Sequence, residues 1–429
     1  MKKYLNPSQE EWENLSKRKI VSTSDLNEIV KEIFTDVQKN GDATVSKYTS
    51  LFDGVSIQNF KVTDAKIQEA TNFISDELKN AIQQAYSNIK KFHTSQKETI
   101  TKIETISGVF CWRESRAIET VGIYIPAGTA PLFSTVLMLA IPAQIAGCKN
   151  IILCSPPDKN GVISPAILYV AKLTGVTSVY KVGGIQAIAS MTFGTKTIPK
   201  VDKIFGPGNQ YVTAAKQYAQ QIGIAIDMPA GPSELLIIAD QSSDVDFVAS
   251  DLLSQAEHGA DSQVILLTNS ENIIEKVDKA IAFQKNNLPR LDLVEKALEN
   301  SRAIVFDSID EAINFSNFYA PEHLILAIND AENKAKLIEN AGSIFIGNYS
   351  CESAGDYASG TNHTLPTNGF ARNYSGVSLD SFVKKITFQK ITETGIQNLG
   401  KTIEIMAEAE QLLAHKNAVS IRLKKLQNG

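Results

Sequence analysis

Apolar positions in the first hundred residues recur at helical spacing. In STSDLNEIVKEIFTDVQKNG, Leu26, Ile29, Val30, Ile33 and Val37 share one face, Ser24 or Asp25 stands where an N-cap belongs, and Gly41 stops the run. SDELKNAIQQAYSNIKKFHTSQK repeats the pattern and leaves His93 at a lysine-flanked end, where a solvated helix terminus is expected. From about residue 108 short β-rich runs alternate with helical ones. VGIYIP leads into FSTVLMLAIPAQIAG, and NIILCSPP into SPAILYVAKLTG; SVYKVGG, IQAIASMTFG and KIFGPG follow. Runs that are apolar on both faces and separated by helices are expected to be parallel strands of an α/β sheet. A second block of the same rhythm begins at SELLIIAD and continues through SQVILLTN, AIVFDS, HLILAIND and GSIFIG. The blocks are two halves of one fold or two sister domains, and sister domains are the favoured reading.

From about residue 391 the chain returns to helix. NLGKTIEIMAEAEQLLAHKNAVSIRLKKL carries an apolar stripe with no α/β block of its own, so a partner subunit is the natural place to bury it. The expected division is therefore a mainly helical region over 1–107, α/β domains over 108–232 and 233–380, either of which can be discontinuous, and a helical arm over 381–429.

Composition narrows the class. A chain of 429 residues suits two or three domains of ~150 residues each. With 43% hydrophobic and 21% charged residues it has material for real cores, which excludes global disorder. The net charge is -5 and Lys and Arg are scattered, which speaks against a nucleic-acid footprint. The most apolar window, VLMLAIPAQIAG, is broken by Pro142 and Gln144 and is too short to span a bilayer. No apolar stretch follows the lysines of MKKYLNPSQEEWENL, so no secretory signal is read and a soluble, cytoplasmic protein is expected. Cys111, Cys148, Cys154 and Cys351 form no CxxC pair and read as small buried hydrophobes, not as nucleophiles or disulfides.

Candidate chemistry gathers around four of the five histidines. LLSQAEHGA places Gln255 and His258 three apart at a helix end, with Gly259 at the C′ position; a last turn also favours His for dipole reasons alone. FYAPEHLIL puts Glu322 and His323 after a proline-marked turn at the mouth of an apolar strand, suited to general acid/base work; the bland alternative is a capped turn with a surface pair. SAGDYASGTNHTLP carries Asp356 and His363 among small residues, and AEAEQLLAHKNAV carries Glu410 and His415. Each cluster alone reads as a solvated or capped terminus. Together, Gln255, His258, Asp356 and His415 would form a nitrogen/oxygen site of the kind an open catalytic zinc uses, although no compact HExxH motif is present. A zinc-dependent hydrolase and a non-catalytic metal-binding scaffold stay open on these residues.

The strings VGIYIPAGTAPLFSTVLMLAIPAQIAGC, KVDKIFGPGN, IDMPAGPSE, SDLLSQAEHGADSQVILLT, PEHL, ESAGDYASGTNHTLPT and AHKNAV, in this order, resemble the histidinol dehydrogenase family over nearly the whole chain. The resemblance implies oxidation of L-histidinol to L-histidine, the end of histidine biosynthesis, in two NAD-linked steps through an enzyme-held aldehyde. It implies zinc on Gln255, His258, Asp356 and His415, and an acid/base pair of Glu322 and His323. Ser233, Gln255, His258, His323, Asp356, His363, Glu410 and His415 would face the substrate, and Tyr124, Gln186 and Asn209 would face NAD. It further implies two related α/β domains of incomplete nucleotide-binding topology, two smaller domains, and an intertwined homodimer that shares its active site. No GxGxxG occurs in the chain, so NAD would be bound without the usual fingerprint.

Overall fold

The computed structural model describes residues 1–18, 24–126 and 131–428. The cap expected at Ser24 or Asp25 lies outside the described side chains, as does the AGTA segment at 127–130. Two compact units are formed. One comprises Met1–Gln96 with Ile118–Phe382, the other Lys97–Ala117 with Val383–Gly429.

In the first unit, five parallel strands run in the order Ser178–Lys181, Asn150–Ser155, Thr120–Tyr124, Lys203–Phe205 and Ala225–Ile226. A second sheet has six parallel strands: Lys2–Leu5, Arg302–Val305, Gln263–Thr268, Glu234–Ala239, His323–Ala327 and Ser343–Ile346. Apart from the added strand Lys2–Leu5, both sheets place their strands 3-2-1-4-5 in chain order, one strand short of the doubly wound dinucleotide sheet. Every position of ELLIIA, QVILLT and HLILA is buried, as a parallel sheet covered on both faces requires. Successive residues serve opposite cores. Leu235 and Ile237 join the cluster under helices Val245–Ala256 and Glu271–Gln284, whereas Leu236 and Ile238 join the one holding Trp12 and Phe315.

The amino-terminal elements are distributed over both sheets. Lys2–Leu5 extends the six-stranded sheet, Ser24–Asn40 and Asp42–Asp53 cover one face of the five-stranded sheet, and Asp76–Thr94 covers the other. His93 is not a solvated terminus. It is fully buried, with Nδ1 3.1 Å from Gln96 Oε1 and Nε2 3.5 Å from Asn362 Nδ2. The lysines beside it face water, but its own position falls on the stripe with Ile82 and Ile89 that meets the core.

The second unit contains an antiparallel sheet not expected from the sequence. Ile103–Ile106, Val109–Ala117 and Val383–Ile391 pair side by side, with Trp112 stacked on Phe388. Glu393–Ala409 and Leu413–Gln427 then pack as a helical hairpin, where Gly400 leaves room for Leu423. Among the described residues no helix is long and apolar enough to cross a membrane. The four cysteines are free, and burial pushes the thiol of Cys154 up to about 12 and that of Cys148 to about 11, which disfavours nucleophilic thiolates at both.

Candidate active site

The helix Ile309–Tyr319 ends at Ala320, a buried residue in the left-handed region (φ 55°), and Pro321 then delivers Glu322 and His323 to the start of their strand. The pair therefore sits at the amino end of the six-stranded sheet, not at the carboxyl end where open α/β sheets ordinarily bind ligands. The strand mouth read from the sequence, after the proline-marked turn, is where the structure places the pair. Glu322 is buried, with one carboxylate oxygen accepting the Glu234 N–H at 2.8 Å. His323 is buried too; its Nδ1 lies 3.2 Å from the Glu234 carbonyl and its Nε2 3.6 Å from Asp356 Oδ1.

Burial pushes the Glu322 carboxyl up to about 8, although the charge of His323 works against the shift. Burial drives His323 the other way from an ordinary acid, toward its neutral form. The surrounding carboxylates Glu322, Glu352 and Asp356 outweigh that and raise it to about 10. Burial also opposes the charge on Asp356, but the hydrogen bond and charge of His323, with His363 and His258 nearby, hold it below its usual value.

Asp356 lies on the short helix Glu352–Tyr357, whose Gly355 lets it press against Phe345: a Cβ there would fall 2.7 Å from the ring. Four residues before Asp356, on the same helical face, is Glu352. Sequence reasoning passed over it. Glu352 is fully buried and neither carboxylate oxygen has a hydrogen-bond partner among the described residues; burial raises its pKa well above the ordinary value. One ligand atom each from His258, Glu352 and Asp356 lies within 4.8 Å of the others. The spacing Glu352-x-x-x-Asp356 on one helix was the available signal.

The helix carrying Gln255 ends at Ala256 with Glu257 as its cap, two residues before the glycine expected to stop it. His258 thus occupies the following turn, its N–H 3.2 Å from the Gln255 carbonyl and its Nε2 4.0 Å from Asp356 Oδ2. Its pKa is lowered by burial and partly restored by Asp356. Gln255 is fully buried and both atoms of its amide lack a partner among the described residues. Unpaired buried amide and carboxylate atoms are costly unless something else meets them. Nitrogen and oxygen donors beside a surplus of carboxylates fit a divalent cation such as zinc.

His363 is held at both nitrogens, Nδ1 2.9 Å from the Asp356 carbonyl and Nε2 3.0 Å from Thr135 Oγ1, and burial lowers its pKa. Thr135 belongs to the helix Phe133–Ala146 that follows strand Thr120–Tyr124, so the carboxyl side of the five-stranded sheet faces the amino side of the six-stranded one. Ser233 immediately precedes strand Glu234–Ala239, its carbonyl accepting the Gln263 N–H at 3.2 Å.

Tyr124 ends its strand, and Gln186 and Asn209 lie just beyond the carboxyl ends of two others in the five-stranded sheet. The Tyr124 hydroxyl accepts the Gly184 N–H at 3.2 Å, and burial raises its pKa to about 12. Asn209 caps helix Gln210–Gln221 through the N–H groups of Tyr211 and Val212, and the buried Gln186 amide has no partner among the described residues. At the GPGN turn, a Cβ on Gly206 would collide with the Tyr124 carbonyl oxygen. Gly206 is clamped on both sides: its N–H donates to Asp227 at 2.8 Å, and its carbonyl accepts from Lys216 at 2.8 Å. Strands Thr120–Tyr124 and Lys203–Phe205 are where the strand order reverses, the place for a dinucleotide in such sheets. An orphan amide and a helix N-terminus at Gly184 fit that group.

Glu410 and His415 belong to the second unit. Both are exposed and flank the turn of the helical hairpin.

A histidinol dehydrogenase family model matches residues 16–423. The histidinol dehydrogenase of Bacteroides thetaiotaomicron is 54% identical over 427 residues, covering 100% of both chains. That of Vibrio vulnificus is 49% identical over 426 residues, covering 97% of this chain and 98% of its own. The crystal structure of histidinol dehydrogenase from Elizabethkingia anophelis aligns with a TM-score of 0.98 at 62% identity, over 100% of this chain and 99% of that one. A whole-length match of sequence and fold, on top of a buried Glu–His pair among unpaired polar groups, means that the chain belongs to the histidinol dehydrogenase family, oxidoreductases of histidine biosynthesis.

Proposed function

We propose that the protein oxidises L-histidinol to L-histidine through L-histidinal, using zinc and NAD, with an active site shared between two copies of the chain. The observation that carries this reading is the buried cluster around His323, in which Glu322, Glu352 and Asp356 approach one imidazole while Gln255 stands unpaired nearby in the fold. Gln255, His258 and Asp356 would hold the metal together with His415 of the carboxyl-terminal hairpin. Zinc held there would supply fixed positive charge for the substrate's amine and imidazole and would offset the Asp356 carboxylate beside His323. NAD, which would supply the hydride acceptor for each oxidation, would rest on Tyr124, Gln186 and Asn209.

The chain's own residues then divide the proton work. With Nδ1 turned to the Glu234 carbonyl, His323 presents Nε2 as the base for the substrate hydroxyl. That proton is taken as the carbinol C–H bond gives up its hydride, leaving the aldehyde. Glu322 takes a proton from the water that adds to the aldehyde while His323 returns its first proton to the carbonyl oxygen, giving the hydrate; His323, neutral again, deprotonates that hydrate as the second hydride leaves. Ser233, His363 and Glu410 would orient the substrate; His363 would trade its Thr135 contact for the ligand.

A zinc hydrolase would use the same Glu–His pair without a dinucleotide, so the test follows NADH absorbance with zinc-loaded protein and histidinol. The expected result is histidinol-dependent NADH, two per substrate consumed. No such signal from folded, metal-loaded protein would reject the proposal.

A further inference from the structure

Both members of the acid/base pair are fastened to the same residue. Glu234 donates its N–H to Glu322 Oε2 at 2.8 Å, and its carbonyl lies 3.2 Å from His323 Nδ1. It is the first residue of its strand: the Ser233 carbonyl before it still accepts the Gln263 N–H at 3.2 Å, while its own N–H and carbonyl lie against Glu322 and His323. Beyond the sheet, something else holds the Glu234 side chain.

That something is Arg18, 216 residues away in the chain. Arg18 Nε donates to Glu234 Oε1 at 2.6 Å and an Nη2 hydrogen to Oε2 at 2.8 Å, a two-pronged grip. Nη2 also donates to the Tyr319 carbonyl at 2.8 Å, and the guanidinium lies 3.8 Å from the centre of the Tyr319 ring. A third tie comes from the Asn368 N–H, 2.6 Å from Glu234 Oε1. The arginine side chain is 12% exposed and the glutamate 2%, so the pair is effectively desolvated.

A buried ion pair contributes little net stability, since apolar residues of similar volume often serve as well or better. What it does supply is direction: a planar fork locked on a carboxylate leaves few conformations for the residue that bears it. We propose that Arg18 and Glu234 are positioning residues for proton transfer: their ion pair orients the one backbone segment that aims Glu322 and sets His323 with Nε2 free. This rests on the assignment of Glu322 and His323 to proton transfer made above.

The test compares Arg18→Met, Arg18→Lys and the double variant Arg18→Met/Glu234→Gln, measuring kcat, KM for histidinol, bound zinc and thermal melting. A displacement of the reacting groups by about 1 Å lowers rates on the order of 100-fold. Arg18→Met is expected to lower kcat by about that factor while KM changes less than about threefold and zinc content is retained. Arg18→Lys, which keeps the charge without the fork, should recover only part of the loss. The double variant leaves no unpaired buried charge, so it should melt near the wild type and still turn over slowly. Wild-type kcat in the double variant overturns the proposal, as does a loss in Arg18→Met that Arg18→Lys restores in full. If the wild type itself makes no NADH from histidinol, the functional assignment fails. If His323→Asn is inactive while the double variant is normal, only the positioning role fails.

Discussion

Adjacent in sequence, Glu322 and His323 have opposite needs, and their surroundings treat them differently. Burial opposes charge on both, but the glutamate has one N–H to stabilise its anion whereas the histidine has carboxylates on several sides. His323 contacts Asp356 without being assigned to the metal. His323→Asn is therefore expected to lower turnover by about 10²–10⁴-fold, the usual scale for general acid/base catalysis, while zinc content stays near that of the wild type. Metal analysis showing the site emptied in this variant would move His323 into the ligand set. At this scale the sequence was informative about residue types. Glu322, His323, Gln255, His258 and Asp356 stood out because histidine is scarce and each lies near an acid or amide. Glu352 did not, because a lone glutamate beside small residues looks like a solvated one until Asp251 and His323 close around it.

Elements were legible wherever the pattern was locally complete. All nine apolar runs read as parallel strands are strands, since a short apolar run needs no knowledge of its neighbours to be recognised. Val383–Ile391 was missed because its alternating VKKITFQKI gains meaning only when paired with Val109–Ala117, distant in sequence. Helix ends are less legible, and one carries a testable consequence. Asp53 is the last residue of helix Asp42–Asp53, where the negative end of the dipole opposes a carboxylate, and its Oδ2 is buried without a partner among the described residues. Burial raises its pKa from 3.8 to about 6. The folded state thus binds more protons than the unfolded state between these values, so stability falls as pH rises through that window. Asp53→Asn should raise the melting temperature at pH 8 and leave it unchanged below about pH 3.5. An equal shift at both pH values would show that the charge is not the cause.

At the scale of the whole molecule, the hairpin that carries Glu410 and His415 is incompletely covered. Leu413, Ile405, Met406 and Ile421 are each more than half exposed, and no residue of Leu413–Gln427 is fully buried. An apolar stripe of this kind favours association with a second copy. The proposed shared site makes a specific expectation. His415→Ala and Glu322→Ala, each inactive alone, should regain part of the activity when mixed under conditions of subunit exchange, because one hybrid site then has both residues intact. Hybrids of verified composition that remain inactive would place each site within a single chain.

What the sequence determined by itself was the alternation of buried strands and covering helices, the absence of a glycine fingerprint for dinucleotides, and the residue types able to hold a metal and move protons. These are local properties, set by side-chain chemistry and by spacing along a few turns or strands. Only the tertiary structure decided that the acid/base pair is buried against Asp356, that His93 is core, and that Arg18 reaches Glu234 across the first unit. Burial and ion pairing depend on which distant segments meet, and no local periodicity encodes that.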